Sequence, residues 1–300
     1  MGILAASKAG SALALLALGA VLAERPGEAR AEGIFSAEGA VLHDNNLPHA
    51  LSEADIVGDT ALSLAASGGY HFAPGDRDAV NLTGDARASR FSRYLGMNSV
   101  ALGATASWSR KFGLGAFAPW AKLSASVAAE RYDEDIRNGL RTGALFQAGE
   151  RLSESLELSA GAGFERYRAD KVTDLVPGLS GDAFSLEGRS LFARGDYALN
   201  ERWAAFASVA FRRGDVTAST RLNPVIFEYS NAVTPDPAFG PDYFAYRLSG
   251  TTTWDFIAGA SLAISDYSSA NLAVTRALTY ASGGVEYQST RINASIILSY

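Results

Sequence analysis

Histidine has the clearest potential for acid–base chemistry here, and the chain has three such residues: His43, His49 and His71. The segment His43-Asp44-Asn45-Asn46 places an imidazole beside carboxylate and amide groups, as in sites where a base activates a nucleophile or a water. The same residues are also ordinary turn formers. No nucleophile lies at a fixed spacing from either His43 or His49, so we expect a non-enzyme. Hydrolysis that uses His43 or His49 as the base is the less favoured alternative.

The composition also bears on cofactors and partners. The chain has 300 residues, a formal net charge of −6 and no basic stripe, so a nucleic-acid partner is not expected. Cys is absent, which excludes disulfides and thiolate metal sites. Asp44 and His49 are too loosely spaced for a metal site. Gly113-Leu114-Gly115 and Gly161-Ala162-Gly163 do not lie between a strand and a helix, as a phosphate loop requires. We therefore expect no cofactor and no metal.

Apolar and polar residues alternate along most of the chain after Ala31. This period of two indicates β-strands with one apolar face. No uncharged apolar segment after Ala31 reaches the length of a membrane helix, and only helices and closed barrels satisfy their backbone in lipid. A soluble β-sandwich would alternate too. The alternating segments are often about 11 to 15 residues long, whereas soluble strands usually have about 5 to 6, and this favours a barrel.

The predicted fold is all-β, an antiparallel up-and-down transmembrane β-barrel of about twelve strands. The predicted strands are residues 34–42, 57–72, 79–91, 98–112, 117–131, 139–151, 155–168, 184–198, 202–216, 243–264, 269–280 and 286–300.

The first residues read as an export signal. Lys8 precedes the apolar stretch Gly10–Ala23, Pro26 and Gly27 then break any helix, and Ala29-Arg30-Ala31 offers a cleavage pattern of small residues. We predict a cleaved signal peptide at residues 1–31 and a barrel at 32–300. Cleavage after Ala23 is the alternative.

Loop lengths predict the orientation of the barrel. The long connections His43–Ile56, Ala169–Ala183 and Thr217–Asp242 all follow odd-numbered predicted strands, and those after even-numbered strands are short. Outer-membrane barrels have short periplasmic turns and longer outer loops. Both termini are therefore expected in the periplasm, with the long loops at the cell surface of a Gram-negative envelope.

The final strand resembles that of bacterial outer-membrane β-barrel proteins. Tyr300 closes the chain, and apolar residues alternate behind it at Ile292, Ala294, Ile296 and Leu298. The family usually has Phe at the last position. The resemblance implies that this strand is an assembly signal for the barrel-assembly machinery, and that outer-membrane lipids surround the barrel. It is strongest for poorly characterised barrels of about twelve strands, and it implies no activity.

The predicted inner face carries both signs of charge, at Asp85, Arg87, Lys122, Glu157, Glu165, Glu187, Arg189, Asp255 and Arg291. A lumen with both signs of charge is compatible with a selective polar channel and with a barrel filled by ion pairs. The charges alone do not distinguish the two. We expect a porin-like, passive or weakly selective pore for small hydrophilic solutes. A structural or surface-interaction barrel without transport is the alternative, and the oligomeric state stays open.

Overall fold

Antiparallel strands make up most of the folded chain in the computed structural model, which describes residues 31–174 and 177–300. The predicted signal peptide falls in residues 1–30, outside the described residues, apart from Ala31, where the first strand begins. The strands are β1 (Ala31–Asp44), β2 (Asp59–Phe72), β3 (Asp78–Phe91), β4 (Ser99–Lys111), β5 (Trp120–Tyr132), β6 (Gly139–Arg151), β7 (Leu156–Ala169), β8 (Leu186–Ala198), β9 (Trp203–Arg221), β10 (Ala232–Pro235), β11 (Tyr243–Ser265), β12 (Ser268–Tyr280) and β13 (Glu286–Ser299).

Twelve long strands close into a barrel, and β10 is an additional short strand beside β11. Closure occurs between β1 and β13, whose antiparallel register runs from Ser36 opposite Ser299 to Asp44 opposite Arg291. Phe35 and Tyr300 extend this pairing by two reciprocal backbone hydrogen bonds of 2.8 Å. A closed barrel leaves no strand edge unpaired, so the predicted architecture and strand count are confirmed.

The wall has one apolar and one polar face. Large apolar side chains are exposed on the outer face of nearly every strand, among them Leu64, Leu102, Phe146, Leu191 and Ile296. Apolar side chains exposed in this regular way form the surface that hydrocarbon covers in a membrane barrel. Within the described residues, no helix has the length and apolar character needed to cross a bilayer.

The two ends of the barrel differ in their connections. One end, here called the turn end, carries residues 73–77, 112–119, 152–155, 199–202 and 266–267. The other, the loop end, carries the described residues 45–58, 92–98, 133–138, 170–174, 177–185, 222–242 and 281–285. The three long loops predicted from the sequence therefore lie together. The pairing of Phe35 with Tyr300 places both ends of the barrel wall at the turn end.

The structure departs from the predicted strands mainly at the loop end. Strand β9 continues to Arg221, five residues beyond its predicted end, and β10 was not predicted. A short helix α1 (Pro224–Tyr229) begins after Asn223, whose side-chain oxygen accepts hydrogen bonds from the backbone of Val225 and Ile226. Three-residue 3-10 turns lie at Leu95–Met97, Asp135–Arg137 and Ser282–Gly284. These additions build the structure that covers one mouth of the barrel.

Candidate functional site

A hairpin extension of the wall, here called the cap, consists of residues 216–249. It contains the ends of β9 and β11 nearest the loop end, with α1 and β10 between them. The cap diverges from the wall at Gly250, where the register between β9 and β11 shifts and φ is +67°. Gly214 lies opposite, so close to the backbone of β8 that an added Cβ would be 2.2 Å from the Glu187 carbonyl oxygen. Glycine at both positions permits this bend.

The cap lies over the mouth of the barrel, because it contacts all five other loops at the loop end. Two contacts are backbone hydrogen bonds, from Ser219 N to Pro48 O at 2.8 Å and from Val233 N to Ser180 O at 2.9 Å. The Phe239 ring packs against the Tyr94 ring with centroids 5.2 Å apart, and Asp236 forms an ion pair with Arg137. Tyr229 lies beside Gly283. The cap therefore contacts the loops on every side of the mouth.

The cap has an apolar interior of its own. Ala218, Ala245, Tyr246 and Ile226 are fully buried. They belong to clusters that include residues of the surrounding loops and strand ends, such as Val285. Burial of a large apolar side chain contributes about 1.5 to 3 kcal/mol, so these clusters stabilise the closed mouth substantially.

Two buried carboxylates anchor the cap. Asp236 of the cap accepts hydrogen bonds from Ser219 Oγ at 2.5 Å and from Arg137 Nε at 3.2 Å, and a terminal nitrogen of Arg137 donates to its second oxygen. The Arg137 guanidinium is stacked between the Phe184 and Phe239 rings, 4.6 and 5.6 Å from their centroids. This ion pair joins the cap to loop 133–138.

The second anchor is Asp55 of loop 45–58. Its carboxylate accepts a hydrogen bond from the hydroxyl of Thr220 and another from Tyr243 Oη at 3.4 Å. Arg221 Nε lies 3.5 Å away, although its side chain is largely exposed. All three partners belong to the cap. Asp55 therefore attaches the cap to the side of the mouth that lies opposite β6 and β7.

Below the cap, charged side chains line the inner wall in two groups. On β5, β6 and β7, Arg141 binds Glu130 at 2.7 Å and Glu165 at 2.5 Å. On β11 and β13, Arg291 binds Asp255 at 2.9 Å. We call these five residues the charged layer. Buried charges are retained in this way only when they are paired, because an isolated buried charge is strongly unfavourable.

Seven of the nine residues predicted to line the lumen lie on the inner face: Asp85, Arg87, Lys122, Glu157, Glu165, Asp255 and Arg291. The alternation of exposed and buried residues in these strands and their cross-strand pairing place them there. Asp85 accepts a hydrogen bond from Thr105 at 2.8 Å, and Glu157 accepts one from Trp120 at 3.3 Å.

The prediction for Glu187 and Arg189 was wrong. Arg189 pairs with Phe164 and Glu187 with Arg166, which puts both on the outer face of the wall. They lie at the loop end of β8, where the outer face leaves the hydrocarbon and tolerates charge. Arg194 and Asp196 are the charged residues of β8 on the inner face, paired with each other at 2.6 Å.

The charged layer also includes two residues that sequence reasoning missed, Glu130 and Arg141. Arg141 shares the inner face of β6 with Gln147, and Glu130 shares the inner face of β5 with Lys122. The predicted strands 117–131 and 139–151 already contain both residues, so applying the alternation over their full length would have found them.

The three histidines do not converge. His43 lies on the outer face of β1, where Nδ1 is 3.0 Å from Thr60 Oγ1, and His71 bonds Asn81 on the inner face near the turn end. His49 lies beneath the cap, stacked on Tyr287 at 5.2 Å. Its Nδ1 is 3.3 Å from the Thr217 carbonyl oxygen, so that nitrogen carries a proton. His43 and His49 therefore lie on opposite sides of the wall and do not form one site.

The buried side chain of His49 leads us to predict that closure of the mouth by the cap is sensitive to acid. Burial lowers the pKa of His49. The positive charges of Arg291 and Arg137 lower it further, whereas the negative charge of Asp44 raises it. Once the cap opens, its pKa returns towards about 6.5, so closure is fully favoured above that pH and weakens as the pH falls below it. We expect the open fraction in single-channel recordings to rise between about pH 7.5 and pH 5. His49→Asn tolerates the left-handed backbone at φ 55° and should show a smaller rise; an equal rise would exclude His49 as the cause.

The bend at Gly250 supplies a second prediction. An added Cβ at Gly250 meets no atom within 4 Å, so Gly250→Ala adds only the backbone strain of a positive φ, about 1 to 2 kcal/mol. We expect a roughly tenfold higher ratio of open to closed channels. Gly33→Ala is the matched control, because that site is equally open and has no positive φ. If both variants behave alike, the bend does not control closure.

The last strand has the pattern predicted for an assembly signal. Ile292, Ile296 and Leu298 are exposed on the outer face, Ala294 shares that face, and the Tyr300 ring lies 5.8 Å from the Tyr267 ring. Recognition of this strand by the assembly machinery stays a prediction.

No protein-family model and no curated protein matches this chain. Solved structures do. An outer-membrane channel from Pseudomonas putida F1 is 10% identical, with a TM-score of 0.54, and the match covers 92% of this chain and 97% of that one. The outer-membrane channel DcaP of Acinetobacter baumannii is 8% identical, with a TM-score of 0.46 and coverage of 91% and 97%. The NanC porin is 6% identical, with a TM-score of 0.45 and coverage of 88% and 98%.

At these identities the likeness defines the fold. The chain is a closed twelve-stranded β-barrel of the kind found among bacterial outer-membrane proteins. Within this barrel, the cap and the charged layer beneath it form the candidate functional site.

Proposed function

We propose that this protein is a gated outer-membrane pore that passes small hydrophilic solutes with weak selectivity. In this proposal both termini lie in the periplasm, the loop end faces outward, and the cap closes the outer mouth. Solutes cross when the cap moves away from the loops that hold it. The barrel is not an enzyme in this proposal, and its loops do not catalyse a reaction.

The observation that carries the proposal is the inner wall on the turn-end side of the charged layer. Three large aromatic residues lie on this face, Trp120, Phe192 and Phe206, but many of the other residues are small or polar and remain partly solvent-exposed. They include Ser67, Gly69, Thr83, Gly103, Thr105, Ser126, Gly143, Gly163, Ser208 and Gly259. A barrel filled by packed side chains would bury its inner face with large residues. In this proposal the small residues leave a hydrated lumen that ends at the charged layer and the cap.

Single-channel recording of the purified wild-type barrel tests this function. We expect long closed periods interrupted by openings to one main conductance level, because the packed cap favours the closed state. Heat-modifiable gel migration of the same sample verifies that the barrel is folded. A folded barrel that never conducts, with the cap present or deleted, would overturn the proposal.

The exposed tip of the cap favours a second candidate function, a surface-interaction barrel. Leu222 and Val225 are 72% and 50% exposed on and beside α1. Exposed apolar side chains grouped on a loop are typical of interaction surfaces. Replacing both residues by Ser should then abolish a cell-surface binding phenotype without changing conductance. Unchanged binding would count against this alternative.

A further inference from the structure

A small, partly enclosed cavity separates the cap from the charged layer. Its volume is about 100 Å³. The cap contributes Thr217, Ser219 and Phe239 to the lining, and His49 lies beside them. On the wall side, Arg141 of β6 and Arg291 of β13 line the cavity from opposite parts of the barrel. The cavity is therefore complete only when the cap is closed.

Three guanidinium groups from three separate elements meet at this cavity. Besides Arg141 and Arg291, Arg137 of loop 133–138 lines it. Among the described residues that line the cavity, the single carboxylate is Asp44. The carboxylates that hold the guanidiniums, such as Glu130 and Asp255, are not part of the lining. The cavity thus presents N–H donors, while the compensating negative charges lie behind them.

The hydrogen bonds of Arg137 leave donor capacity on the cavity side. Its Nε and one terminal nitrogen donate to Asp236. Among the described residues, none accepts a hydrogen bond from the second terminal nitrogen of Arg137. A guanidinium carries five N–H donors in a planar fork that suits the oxygens of a carboxylate or phosphate. The cavity is also of a suitable size, because one water needs about 10 to 15 Å³ measured in this way, so several waters or one small oxyanion fit.

From this geometry we infer that the cavity is a binding site for one small oxyanion, held by Arg137, Arg141 and Arg291 beneath the cap. The anion is held by the wall and loop 133–138 and is covered by Thr217, Ser219 and Phe239 of the cap, so it binds the closed state more tightly and shifts the equilibrium towards closure. This inference deepens the proposed function, on which its gating consequence rests, because it names a ligand for the closed pore.

His49 adds a pH signature to this site. It faces Asp44 on β1, Arg137 on loop 133–138, Arg291 on β13 and Asp255 on β11, and burial lowers its pKa. An anion in the cavity favours the imidazolium and opposes that lowering. Anion affinity should therefore increase as the pH falls.

The test measures thermal unfolding of the folded barrel in detergent against increasing inorganic phosphate, with sodium chloride at matched ionic strength as reference. Wild type should show a saturable rise in Tm with phosphate. The double variant Arg291→Gln/Asp255→Asn removes the guanidinium and its carboxylate together, which avoids an unpaired charge. It should bind phosphate about tenfold more weakly, as expected for loss of a charge-assisted hydrogen bond.

The matched control is Arg194→Gln/Asp196→Asn, an inner-face pair that does not line the cavity. It should retain wild-type phosphate affinity. Equal phosphate stabilisation of wild type and Arg291→Gln/Asp255→Asn, or none in wild type beyond that of chloride, would overturn the site. Because binding is measured without conductance, failure of this site and failure of the pore are separate results.

Discussion

Deletion of residues 216–249 is expected to convert a mostly closed barrel into one that conducts continuously. The deletion joins Asp215 directly to Gly250. The flanking residues Gly214 and Thr251 are already paired across β9 and β11, so the new connection is a two-residue Asp-Gly hairpin turn. Asp-Gly is among the preferred sequences for such a turn, and the strands of the wall need not move.

The expected effect is large because the cap closes the mouth through its own apolar clusters and both carboxylate anchors. Without it, the inner wall opens to the outside through the gap above the charged layer. Heat-modifiable migration identical to wild type serves as the folding control. A folded deletion variant that conducts no more than wild type would show that the cap is not the barrier.

Asp236→Ala should produce the second largest effect. The substitution leaves Arg137 without its carboxylate, although only 12% of that side chain is exposed. Removing one member of a buried ion pair costs about 3 to 5 kcal/mol. If this cost falls on the closed state alone, the ratio of open to closed channels rises about 10² to 4 × 10³-fold, measured as open fraction in single-channel recordings.

An exposed ion pair on the same rim supplies the control for Asp236→Ala. Arg131 and Asp170 lie 2.7 Å apart with both side chains about half exposed, and such pairs contribute about 0 to 1 kcal/mol. Asp170→Ala should leave gating near wild type. The apolar replacement Arg137→Met/Asp236→Leu should restore much of the closure, because it leaves no unpaired charge. An open fraction in Asp236→Ala no greater than in Asp170→Ala would contradict the anchor.

The barrel wall could be predicted from the sequence because each strand carries its own evidence. The alternation around Leu64, Leu158 and Ile296 depends only on which face of the strand meets lipid. The residues of each strand are therefore sufficient to identify that strand and its outer face. Closure was predicted because only helices and closed barrels satisfy their backbone in lipid and no segment after Ala31 is long enough for a membrane helix. The face of β8 was misassigned because Glu187 and Arg189 lie near the rim, where the rule that charged residues face inward no longer holds.

The cap could not be predicted, because its stability comes from contacts between distant parts of the chain. Arg137 and Asp236 are 99 residues apart, and Asp55 and Thr220 are 165 apart. The segment after Val216 is buried on both faces by loops rather than on one face by the wall, so alternation carries little information there. Asp55 and Asp236 look like ordinary loop residues until the fold brings their partners to them.

The most direct test of the gated pore is a reversible covalent lock on the cap. The chain has no Cys, and the hydrogen-bonded side chains of Asp55 and Thr220 lie next to each other across the joint between cap and loop 45–58. Single-channel recordings of Asp55→Cys/Thr220→Cys should show no openings when oxidised. Openings more frequent than in wild type should follow a reductant, because the Asp55 anchor is gone. Equal conductance before and after reduction, with the disulfide verified by gel migration, would contradict gating by the cap.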